Sequence, residues 1–106
     1  MVVISREIYD SSQGLKHTAK KLYDLAVKKA NTEQAYRKAL AVEIMRLKSE
    51  KIPATLIPDI ARGNTAELKF ERDLAETVWK GAIDYLRALE AQLSGLQSIL
   101  KHQSEV

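Results

Sequence analysis

Both prolines of the chain, Pro53 and Pro58, fall within the single stretch 52–64, the one place where helical periodicity stops. Proline lacks the N–H that a helix interior needs, and its ring collides with the preceding turn, so no long helix runs through this stretch unbroken. On either side alanine, leucine, lysine and glutamate dominate, all strong helix formers. Two long helices separated by a short breaker can bury their apolar faces only by folding back on each other. The expected fold is therefore all-α: an antiparallel helical hairpin with its corner at about 52–63. At 106 residues, the chain 1–106 is expected to form a single helical-hairpin domain.

Upstream of the corner, Leu15, Ala19, Leu22, Ala26, Tyr36, Leu40, Ile44 and Leu47 fall three or four residues apart within each matching run. That spacing predicts a helix from about Leu15 to Glu50. Before it, Asp10-Ser11-Ser12-Gln13-Gly14 reads as a turn. Residues 1–14 are accordingly expected to form a separate short helix or a flexible arm. Within the corner a short helix is expected, capped by Thr55, with Pro58 in its first turn and Gly63 at its end. Asn64 then reads as the cap of the next helix, with Glu67 reaching back to it.

The last helix, about Thr65 to Gln103, carries the cleanest pattern. Trp79, Leu86, Leu93 and Leu100 recur every seven residues, as do Leu68, Ala75, Ala82, Leu89 and Leu96. This is a sustained heptad seam of the coiled-coil kind. A hairpin closed around the corner pairs positions whose numbers sum to about 115, which sets Leu47 beside Leu68 and Leu40 beside Ala75. The same register places Glu43 opposite Arg72.

A second stripe runs along this helix: Leu74, Val78, Gly81, Tyr85, Ala88, Gly95 and Ile99. Gly81, Ala88 and Gly95 lie seven apart, on one line. An interior helical glycine costs about 1 kcal/mol relative to alanine, so two of them call for a reason. Since the hairpin partner already covers the heptad seam, the stripe is expected to meet a second chain in a homo-oligomer, a four-helix dimer or larger bundle. The competing expectation is that the N-terminal segment folds back over this face.

The net charge of +3 is unevenly placed, with ten basic residues against six acidic in 1–50 and seven against eight in the remainder. Lys16, Lys20, Lys21, Lys28, Lys29, Arg37 and Lys38 make the first helix the basic element. They offer a nucleic-acid contact through phosphates, although a solvated face is the simpler reading, because the lysines wrap around the helix and few aromatics accompany them. Leu56, Ile57 and Ile60 in the corner either plug the open end of the bundle or form an apolar knob for a partner. His17 and His102 come out at one end of the hairpin, near Asp10 and Glu105, but their spacing matches no metal-binding motif. The acidic residues Glu67, Glu71, Asp73 and Glu76 complement the positive end of a helix dipole. No catalytic, cofactor or metal residue is assigned, and the chain is read as non-enzymatic.

There is no cysteine, so neither a disulfide framework nor a thiolate metal site is available. The start lacks a signal-peptide pattern, and no apolar run reaches the roughly 18–20 residues that span a bilayer. A cytoplasmic location without membrane partner is expected. Trp79-Lys80-Gly81 reads as W-x-G, but it lies deep within a helix and not in a turn between helices, unlike the secreted hairpins named for that tripeptide.

The segments Leu22-Tyr23-Asp24-Leu25-Ala26-Val27-Lys28-Lys29-Ala30, Ile52-Pro53-Ala54-Thr55-Leu56-Ile57-Pro58 and Ala66-Glu67-Leu68-Lys69-Phe70-Glu71 resemble those of small all-helical proteins from phages and prophages of Gram-positive bacteria. The resemblance covers about residues 20–103 and rests on a hairpin pattern, not a site motif. It implies an accessory role in phage DNA replication or recombination, or inhibition of a host protein, carried out in the host cytoplasm by association with a protein partner. Two other functions fit the sequence: a nucleic-acid-binding protein using the basic helix, and an anti-defence sponge holding a signalling nucleotide between subunits.

Overall fold

The computed structural model describes residues 2–104 and contains three helices: α1 (Val2–Ser49), α2 (Ile57–Asn64) and α3 (Ala66–Ser104). The fold is all-α, with the two long helices packed antiparallel and α2 in the connection between them. Two compact units can be distinguished, residues 25–78 and residues 1–24 with 79–106. No helix of the described residues is long and apolar enough to cross a membrane.

The turn expected at Asp10–Gly14 does not form, and α1 continues through it. The reason lies in the unit made of the two chain ends. A Cβ built on Gly14 would stand 3.3 Å from Leu89 Cδ1 and 3.8 Å from the Tyr85 hydroxyl. Ser11, one turn earlier, is buried, as is Leu89. Small residues that look like turn formers in sequence are here the small side of a helix–helix contact.

α1 ends in the unit 25–78 through a Schellman arrangement. The N–H of Ile52 donates to the Leu47 carbonyl (3.2 Å) and that of Lys51 to the Lys48 carbonyl (3.1 Å), satisfying two carbonyls that the helix end leaves without partners. Lys51 takes the left-handed conformation usually held by glycine, with φ 59°. Ile52 then packs against Leu47, as the motif favours. The Leu56 N–H donates to the Pro53 carbonyl (2.9 Å) and turns the chain into α2.

The short helix exists, but its ends differ from those expected. Its N-cap is Leu56, without a side-chain cap, and Thr55 plays no such role; Pro58 sits in the first turn. Gly63 does not stop it: the helix runs on to Asn64, and no glycine has a positive φ. Thr65 instead closes one helix and opens the next. Its N–H (3.1 Å) and its hydroxyl (2.7 Å) both donate to the Ala61 carbonyl, while its own carbonyl accepts from the Lys69 N–H (3.1 Å). Asn64, relieved of capping, donates from its side chain to Glu43 Oε1 at 2.8 Å.

The core of this unit is Leu47, Ile57 and Ala61, with Leu40, Ile44, Ile52 and Ile60 packed around it. α2 thus lies along the last turns of α1 and is already part of the returning leg. This moves the register. Arg72 was expected opposite Glu43; it reaches Glu33 (3.5 Å) and stacks on the Tyr36 ring, 4.6 Å from its centroid. In the other unit Gly14 meets Leu89. Paired positions are offset by roughly ten residues from the expected register, because the chain reverses near Pro53 and not in the middle of the corner.

Candidate functional site

Within residues 25–78, the outward flank of α3 carries Phe70, Leu74 and Val78, each one turn beyond the last. Their exposures are 65%, 50% and 46%. They border a groove of about 530 Å³ between α1 and α3, completed by Leu25, Lys28 and Thr32 from α1 and Glu67, Glu71 and Ala75 from α3. Ala75 is buried at its base. A half-exposed row of large apolar side chains at helical spacing is an unfilled packing face.

The rest of the stripe belongs to the other unit, where Gly81, Tyr85, Ala88, Gly95 and Ile99 are all exposed. A Cβ added to Gly81 or Gly95 would meet nothing within 4 Å. No described segment of the chain folds over these two glycines, which sets aside the N-terminal cover at both. Gly14, read as a turn residue, is the glycine with a close neighbour inside the chain.

The three apolar residues of the corner separate. Ile57 is buried in the core and Ile60 is half-buried against it, while Leu56 is 51% exposed. Plugging the bundle end therefore describes Ile57 and Ile60, and an exposed knob is reduced to Leu56. The basic residues also differ among themselves. Lys16, Lys20, Lys21, Lys28 and Lys38 are exposed, and Lys29 is half-buried. Arg37 is engaged with Glu33 at 2.6 Å. His17 and His102 are exposed, Glu105 lies outside the described residues, and among the described residues no group of three or more metal-binding side chains is gathered.

Two charge networks brace the unit 25–78. Arg72, half-buried above Tyr36, donates to Asp73 Oδ1 (2.8 Å), and Lys69 donates to Asp73 Oδ2 (3.1 Å). Arg46 joins Glu43 and, at 2.8 Å, Glu50. The Arg72 hydrogen bond, then that of Lys69, holds the Asp73 carboxyl below its ordinary range; the Arg46 and Asn64 hydrogen bonds do the same for Glu43. A carboxylate with a lowered folded pKa stabilises the fold above its unfolded value and loses that contribution as pH falls through the lowered one. Stability is therefore expected to decline as pH drops below about 4. Thermal melts at stepped pH check this: Asp73→Asn with Glu43→Gln should flatten the decline, and an unchanged slope would remove both networks as its source.

The sequence placed Lys28, Glu67, Glu71 and Ala75 in other roles and did not join them with Leu74 and Val78 in a groove. Phe70 was legible as the stripe continued one turn toward the N-terminus. Leu25, Thr32, Glu67 and Glu71 became neighbours only through the register. No known family model, curated protein or solved structure matches the chain.

Proposed function

We propose that this chain is a non-enzymatic association protein, and that the outward face of α3 joins it to a second copy of itself as the platform on which a protein partner is met. The observation that carries this is the open glycine line: Gly81 and Gly95 have no intrachain neighbour that needs their smallness. Each nevertheless weakens the helix by about 1 kcal/mol relative to alanine. Close approach of a second helix accounts for both. The exposed Tyr85 and Ile99, in the same unit as the two glycines, supply apolar area that such an approach buries. In the setting that the phage resemblance implies, the assembly serves as an accessory to replication or recombination, or as an inhibitor of a host protein.

Sedimentation velocity across a concentration series tests the reading. The wild-type chain is expected to populate a dimer or larger species. Gly81→Leu or Gly95→Leu should weaken that association about ten-fold or more, while helicity is retained because the added side chain meets open space in the single chain. A mass and affinity indifferent to both substitutions would sink the proposal.

A further inference from the structure

The outer side of α1, in the unit formed by residues 1–24 and 79–106, carries tyrosine and lysine on one line. Ile4, Ile8, Ser11, Leu15, Thr18 and Leu22 hold buried and half-buried positions, and Gly14 beside them meets Leu89. At 3.6 residues per turn, Tyr9, Lys16, Lys20 and Tyr23 fall within about 60° of one another on the side turned away from those positions. Tyr9 is 63% exposed and Tyr23 75%, and both lysines are exposed. Among the described residues neither lysine is held in an ion pair. Independently of the association reading, which rests on α3, we infer that this line of α1 binds single-stranded nucleic acid. Tyr9 and Tyr23 stack on bases, and Lys16 and Lys20 meet the phosphates between them.

Spacing and charge favour that occupant. The two tyrosines stand about 21 Å apart along the helix, with the lysines one turn from each other between them. Arg6 adjoins the line at one end and Asp24 at the other, so the two lysines supply its net positive charge. Glu7 and Asp10 lie off the line, and Lys21 turns about 100° away from Lys20. Two rings so far apart form no continuous apolar patch, which the core of a protein interface or a helix lying in a membrane surface requires. A nucleic-acid strand asks for this alternation instead: aromatic faces for its bases and cations for the phosphates that link them. A duplex keeps its bases stacked inside, whereas the unstacked bases of a single strand are open to a tyrosine ring.

The test is fluorescence anisotropy of a labelled oligothymidine, about 12 nucleotides long, titrated with the full chain at stepped salt. Tyr9→Ala and Tyr23→Ala should each weaken binding about five-fold or more, as removal of a stacking ring does. Tyr9→Phe and Tyr23→Phe, which keep the ring, should retain it. Lys16→Gln with Lys20→Gln should lower the slope of log affinity against log salt by about 1.4, at about 0.7 for each phosphate. Circular dichroism confirms that these exposed substitutions leave the helices intact, and sedimentation should show self-association unchanged by them. Binding that falls with the lysines but is indifferent to both tyrosine→alanine substitutions would reduce the line to a cationic surface and overturn the inference. No binding at low salt, or tighter binding to anionic vesicles than to the oligonucleotide, would also overturn it. Loss of self-association in the tyrosine variants, with the oligonucleotide still bound, would make the line an interface between proteins and overturn it too.

Discussion

Leu47→Ala is expected to cost about 2–5 kcal/mol of stability, the range for removing a buried leucine whose site collapses only partly. Leu47 is 3% exposed and is the α1 residue against which Ile57 and Ala61 close. Its carbonyl also accepts the Ile52 N–H that ends α1. Truncating the side chain removes apolar contacts from both sides of the corner at once and leaves the backbone cap without the packing that supports it. α2 has only eight residues, too few to hold together without tertiary contacts. Loss of Leu47 should therefore loosen α2 before the long helices. Urea unfolding with hydrogen exchange checks this: the midpoint should fall, and the amides of Ala61 and Thr65 should lose protection first. Uniform loss of protection, or a cost below about 1 kcal/mol, would show that the corner is not seated on Leu47.

The second large effect is expected at Gly14, where alanine and leucine should act in opposite directions. A Cβ there lies 3.3 Å from the end of the Leu89 side chain, which can yield by a few tenths of an ångström. Gly14→Ala should then keep most of the gain of about 1 kcal/mol that alanine brings to a helix interior. Gly14→Leu drives further carbons into the space held by buried Leu89 and by Tyr85. Overpacking of that kind costs about 1–3 kcal/mol. Thermal or urea unfolding of the two variants against the parent gives both signs. A Gly14→Leu variant as stable as the parent or more so would contradict the close contact between Gly14 of α1 and Leu89 of α3, and a destabilising Gly14→Ala would show that Leu89 does not yield.

These two sites mark where the sequence was legible and where it was not. The heptad of Trp79, Leu86, Leu93 and Leu100 declared a helix and its inward face, because periodicity is a property of the local chain. The Leu74, Val78, Gly81, Tyr85, Ala88, Gly95 and Ile99 stripe was visible for the same reason, and its residues are exposed as a second face would be. Gly14 misled because glycine beside serines carries the same composition in a turn as in a tight helix contact. Only the presence of Leu89 opposite decides between them. Asn64 likewise departed from its expected role as the cap of the last helix: its side chain is drawn to Glu43, and Thr65 stands between the two helices with its hydroxyl donating back to the Ala61 carbonyl.

The sequence by itself determined that the chain is helical, that it doubles back in the proline-bearing stretch, and which flank of α3 lies opposite the seam. All three follow from side-chain spacing and from backbone chemistry within a few residues. The tertiary structure alone decided the axial register, and with it the groove. A seam of repeated leucine and alanine can slide by about 10 Å, one heptad, and still bury the same kind of surface. What removed that freedom was the docking of Ile57 and Ala61 on Leu47, which set the start of the returning leg. That contact carried Arg72 away from Glu43 to Tyr36 and Glu33, and it brought Lys28 to a groove shared with Glu67 and Glu71.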